Sequence, residues 1–194
     1  MSSLEQLASK AILAQSGLEG TKAVHPIVAN KIVTSTNMKV GAYTIAAQPV
    51  APCLLSVKNT VVDTADTMGT ITFVGTDING DVLTEVVTPV ADTTVYTTNE
   101  FASVTSATGA GWVIGGITED TIIIGVADTI AGDGFYFSAI QVLAQAVVAS
   151  QTNKIGSTVA QLSDFTALPV GIYPTKVTKI ALTSGEAIGI LASI

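Results

Sequence analysis

The chain has 194 residues, of which 48% are apolar and only 12% charged, where about a quarter is usual for a soluble domain. Eight lysines, no arginine and fifteen acids leave a formal charge of −7. That balance excludes a broad phosphate-neutralising surface for nucleic acid, and the apolar, low-charge composition excludes disorder.

Twenty-seven Thr, 23 Val and 19 Ile favour extended backbone, because β-branched side chains restrict χ1 and pack well on a pleated surface. The expected fold class is therefore all-β, a β-sandwich of Ig-like or jelly-roll-like kind, preceded by a short N-terminal amphipathic helix or arm. Two domains are expected: the arm over 1–20 and the sandwich over 21–194, with a weak sub-boundary at 131–134, where AGDG interrupts the strands.

In chain order, Leu4, Leu7, Ala8, Ala11 and Ile12 form one apolar stripe at helical spacing, which predicts a helix over 3–16. Ser3 with Gln6 fits a capping box, and Gly17 suits a helix stop. Residues 23–34 read as a strand broken at Pro26. Strands at 43–47 and 50–57 follow, confined to edges or loops by Pro49 and Pro52. Two strands, 69–76 and 82–88, flank Asn79-Gly80, a pair suited to a type I′ hairpin turn. Ile71 and Phe73 are expected on one face of the first, and Thr70, Thr72 and Val74 on the other.

Short strands are then predicted at 93–97, 101–105 and 112–117, and an aliphatic strand buried on both faces at 121–126. Residues 135–148 are ambiguous: Phe135 and Phe137 alternate like a strand, 140–148 also suits a short helix, and a strand over 134–143 is preferred. A closing hairpin is expected from 176–183 and 187–192, around Ser184-Gly185-Glu186. Strands spaced by turn residues at short intervals suit a sandwich or barrel.

Chemistry-bearing patterns are sparse. His25 is the sole histidine, so no histidine cluster can hold zinc, and no G-x-S-x-G elbow accompanies it. Cys53 stands alone; it reads as a small buried hydrophobe and excludes a disulfide scaffold. GAGWVIGG over 109–116 has Ile114 where a dinucleotide fingerprint needs its third glycine. Asp77, Asn79 and Asp81 alternate like a calcium loop, but Val82 and Thr88 occupy the glycine and bidentate-acid positions. Asp63 with Asp66, Glu119 with Asp120, and Asp128 with Asp133 read as solvated turn acids rather than glycosidase-like dyads. Trp112, Tyr96, Phe101, Phe135, Tyr136, Phe137 and Phe165 read as core or interface anchors. No catalytic, metal or cofactor site is expected, and no enzymatic activity.

No run reaches the ~18 apolar residues of a membrane-spanning helix; Gln141 and Gln145 interrupt the most apolar segment. MSSLEQLASK has no basic start or apolar stretch, so the chain is expected to stay where it is made.

One segment carries a resemblance. Gly75 to Asp81 (G-T-D-x-x-G-D), Thr84-Glu85, Phe101 to Ser106 (F-x-x-V-T-S) and Asp120 to Val126 (D-T-I-x-I-G-V) together resemble a pattern of structural proteins of tailed bacteriophages. The resemblance covers residues 69–127. It implies a β-sandwich component of the virion, assembled in the host cytoplasm. The role expected is a capsid decoration or cement protein that stabilises the head by binding across major capsid protein subunits. A neck, tail or fibre component is the alternative. The expected partners are the major capsid protein or other virion proteins and further copies of the chain, a trimer being favoured, with no nucleic acid and no membrane.

Overall fold

A computed structural model describes residues 18–24, 26–62, 66–130, 135–153, 162 and 167–193. The described residues form strands β1 (Leu18–Val24), β2 (Val28–Asn37), β3 (Gly41–Ala42), β4 (Leu55–Thr60), β5 (Thr70–Thr76), β6 (Val82–Val87), β7 (Thr94–Tyr96), β8 (Ser103–Ala110), β9 (Thr121–Val126), β10 (Thr129–Ile130), β11 (Phe135–Asn153) and β12 (Gly171–Ser193). The all-β reading holds. The helix expected over 3–16 lies outside the described residues, whereas Leu18, Glu19 and Gly20, assigned by sequence to the arm, open β1.

The chain divides into two compact units, Ile27–Ala127 and the pair of segments Met1–Pro26 and Asp128–Ile194. Each has its own buried cluster; the sequence reading placed 21–194 in one sandwich with a weak sub-boundary at 131–134.

The unit Ile27–Ala127 is a β-sandwich. One sheet has the order β2-β9-β4-β7, the other β3-β8-β5-β6. Both line one core: Ile32, Leu55, Val57, Ile122 and Ile124 from the first sheet meet Ile71, Phe73, Val104 and Ala107 from the second. The alternation in β5 is the one expected. Ile71, Phe73 and Gly75 are buried, while Thr70, Thr72, Val74 and Thr76 face outward. Burying Phe73 and Phe101 supplies much of the apolar driving force; their rings meet edge to face at 6.1 Å. Gly75 is required by close approach, since a Cβ there would lie 1.9 Å from the Ser103 carbonyl oxygen.

Four local expectations for this unit fail. The strand predicted at 50–57 begins only at Leu55, beyond Pro52, and lies between β9 and β7 rather than at an edge. Residues 43–47 do not form a sheet strand. The Tyr43 amide bonds to Ala107 of one sheet and the Ala46 amide to Ile32 of the other, so the segment crosses between the sheets. Residues 112–117 are a loop rather than a strand, and among the described residues their one β-bridge is Thr67–Val113. Asn79-Gly80 does not form a type I′ turn. Gly80 has φ +87°, but Asn79 does not have a positive φ. The Gly80 amide bonds to Asp77 O and the Asp77 amide to Asp81 O. That is a type I turn followed by a left-handed glycine, the next commonest hairpin closure.

The second unit is built on β11 and β12, whose 19 and 23 residues pair along their whole length. The ribbon also folds back on itself. Phe137 pairs with Leu191 on one edge and Val177 on the other, and Val142 pairs with both Ala187 and Gly171. One strand thus flanks both sides of the first part of β11. β1 extends this sheet along Ala187–Ala192, and β10 pairs with Lys179 and Ile180. Phe137, Ile140, Val177, Ile180 and Leu182 form the core, and the Phe137 ring lies where a Gly189 Cβ would stand. Ser184-Gly185-Glu186 therefore does not close a hairpin. β12 runs straight through it, and Gly185, at φ +85°, sits opposite Gln145 and Ala146. Two residues of β11 face one of β12 there, which is a β-bulge.

Candidate functional site

Of the six acids that looked like possible dyads, Asp66 and Asp120 are occupied with backbone amides. Asp66 accepts from Gly115 N (2.8 Å) and Asp120 N (2.9 Å). Asp120 is buried; it accepts from Val62 N at 2.7 Å, and the Asn59 amide nitrogen lies 3.4 Å from its other oxygen. Glu119 accepts from Asn37 Nδ2. Glu85 takes Thr98 N (2.6 Å), Asn99 N and Asn99 Nδ2. Asp92 takes Val61 N at 3.0 Å. Asp128 pairs with Lys179. Asp63, Asp133 and His25 lie outside the described residues.

The Asp77–Asp81 hairpin tip is a self-contained turn. Asp77 Oδ1 accepts from Asn79 N (2.8 Å) and Asp81 N (3.0 Å), an Asx-type arrangement. Desolvation opposes ionisation of Asp77, but hydrogen bonds from Asp81, Asn79 and Gly80 outweigh it and hold the carboxyl below its usual range. Among the described residues no group of three or more His, Cys, Asp or Glu is placed to hold a metal ion. Cys53 is buried and bridged to Phe101 through both backbone bonds. Trp112, Phe101 and Phe137 are buried, whereas Tyr96 is half exposed.

Two exposed apolar or neutral features stand out. The first is the loop that follows β8. Trp112 anchors it in the core, and Asp66 clamps it at Gly115 and beyond its end at Asp120. Between these anchors Val113 and Ile114 are exposed, and Ile117 is 99% exposed.

The second is the outer face of the β3-β8-β5-β6 sheet. Its cross-strand rows are Ala42–Thr108–Thr72–Val86, Ser106–Val74–Thr84 and Ser103–Thr76–Val82. None of these side chains carries a charge. Val82 is 80% exposed and Val86 58%. Thr76 and Ser103 satisfy each other's hydroxyls at 2.8 Å. Among the described residues the face ends at β6, an edge strand whose residues pair only with β5. No lysine, proline or bulge protects β6, and its one charged residue, Glu85, is held by Thr98 and Asn99 of the same chain.

Single-residue reading located the loop glycines and the outward threonines. It could not show that β6 ends a sheet, because strand order is set by long-range packing. Among the described residues no helix is long and apolar enough to cross a membrane. No protein-family model, no curated protein and no solved structure matches the chain.

Proposed function

We propose that the chain is a non-enzymatic structural component of a tailed-bacteriophage virion, and specifically a head decoration or cement protein that binds across major capsid protein subunits. The observation that carries this reading is the uncharged outer face of the β3-β8-β5-β6 sheet, ending in Val82 and Val86 exposed by 80% and 58%. The sequence resemblance over 69–127 points the same way. Such a face gains free energy by being covered, at roughly 25 cal/mol per Å² of apolar surface removed from water. Its threonines hydrogen-bond without the desolvation cost of burying a charge. A protein that binds only the assembled shell stabilises that shell by mass action. The Ile117 loop supplies a second apolar contact on the same unit. The acids of this unit support the reading in another way: Asp66, Asp77, Glu85, Asp92 and Asp120 order their own loops through backbone amides.

The test is the copy number of the chain in purified virions, measured against the major shell protein by quantitative mass spectrometry. A decoration protein appears in fixed proportion to the shell lattice. A few copies per particle would instead place the chain in the neck, tail or fibre, and its absence from particles would remove the virion reading altogether.

A further inference from the structure

We propose that β6 is the edge through which the chain pairs with a second copy of itself, antiparallel across a twofold axis at Thr84. The ladder fixes which groups are available. The hairpin is closed by the Asp77 amide on Asp81 O, and hydrogen-bonded pairs alternate along an antiparallel ladder. Gly75–Leu83, Phe73–Glu85 and Ile71–Val87 are therefore the bonded pairs. Val82, Thr84 and Val86 turn their N–H and C=O groups away from β5. Among the described residues none of these groups has a partner beyond the edge, and another extended strand is the protein element that can take all of them together in place of water.

The register selects the occupant. With Thr84 on the axis, Thr84 faces its own copy, Val82 faces Val86 of the copy, and Leu83 faces Glu85. Thr–Thr and Val–Val are favourable cross-strand pairs, and no like charges stand directly opposite. The strand is thus complementary to itself, as a twofold interface requires. Glu85 does not oppose the pairing, because Thr98 and Asn99 of its own chain already supply its carboxylate with three N–H donors. Both outer faces then join into one uncharged surface. An edge in this geometry gives a dimer rather than a trimer.

The pairing stands on the edge geometry alone and is tested on the purified full chain with no particle present. Sedimentation over a range of concentrations is expected to give a dimer. Thr84→Pro removes an amide that β5 does not use, so far-UV circular dichroism is retained while the dimer is lost. Thr84→Lys, which sets two lysines across the axis, does the same without touching the backbone. The register is read by crosslinking. Cα atoms across a hydrogen-bonded pair lie about 5.5 Å apart, within disulfide reach. Thr84→Cys therefore links to its own copy on oxidation, Val86→Cys does not, and Val86→Cys mixed with Val82→Cys does. A wild-type monomer at every concentration overturns the proposal. So does an oligomer that survives Thr84→Pro and Thr84→Lys, or equal crosslinking of Thr84→Cys and Val86→Cys.

Discussion

The carboxylate of Asp66 accepts the backbone N–H of Asp120 at 2.9 Å, so one acid of the loop region positions another. Asp120 in turn accepts Val62 N, and Asp66 also accepts Gly115 N. These bonds tie both ends of the exposed 113–118 segment to the sandwich. Asp66→Ala should speed hydrogen exchange at the Gly115 and Asp120 amides and leave β5 and β9 protected. Asp120→Ala should lower stability by about 1.5–3 kcal/mol, the usual cost of losing a buried hydrogen bond to a charged group. Urea unfolding measures the second, and exchange followed by NMR measures the first. Unchanged exchange at Gly115 in the Asp66 variant would show that the loop holds its shape without the clamp.

Gly185 carries the path of β12 through what looks like a turn. Its φ is +85°, and a Cβ would lie 2.3 Å from the Gln145 carbonyl oxygen. Gly185→Ala should therefore cost about 2–4 kcal/mol, combining left-handed strain with overpacking against backbone. Gly171→Ala is the control. There the nearest atom is an ordinary 3.6 Å away on the Tyr173 ring, and a change within about 0.5 kcal/mol is expected. Chemical denaturation of the two variants side by side gives the comparison, and equal losses would remove the bulge as the cause.

The same glycine shows how far the sequence carries. Small polar residues around Ser184-Gly185-Glu186 have turn chemistry, and locally a bulge needs the same chemistry as a hairpin. Only the pairing of β12 with both edges of β11 decides between them, and that pairing is long-range. The alternation of Ile71 and Phe73 was legible because burial on one face leaves a period-two mark. Residues 112–117 misled because Trp112, Val113 and Ile114 suit a strand, whereas Asp66 takes the Gly115 amide that a neighbouring strand would need. The neutral face was legible in its threonines and valines, and its exposure at an open edge was not.

The hairpin tip distinguishes two turn types by substitution. Gly80 lies at φ +87°, and a Cβ added there would meet no atom within 4 Å, so Gly80→Ala should cost only backbone strain, about 1–2 kcal/mol. Asn79 has no positive φ, so Asn79→Gly should destabilise by about 0.5–1 kcal/mol through added freedom of the unfolded chain. A type I′ turn would instead tolerate or favour that glycine. The Asp77 carboxyl is held below its ordinary value of 3.8. Its contribution is present above that value and is lost as pH falls through the lower folded one. NMR titration of the Asp77 carboxyl should give a midpoint below 3.8, and a midpoint at or above it would contradict the turn geometry.

Tyr43 gives the corresponding alkaline signature. Burial raises its phenol above the usual 10.0, and the hydrogen bond with the Lys39 backbone only partly offsets the rise. The hydroxyl both donates to Lys39 O and accepts from Lys39 N, so the neutral form suits its place beneath the sheet. A folded value above the unfolded one means that the native state holds its proton longer. The stability tied to the neutral phenol is therefore complete below about pH 10 and is lost as pH rises through the folded value. Tyr43→Phe should cost about 1 kcal/mol at about pH 8, the net worth of a hydrogen bond. This deficit should shrink as pH rises above about 10, because only the wild type has a phenol to ionise. Unfolding midpoints of both proteins across that range test the sign. A deficit that widens with pH would mean that the folded site favours the phenolate.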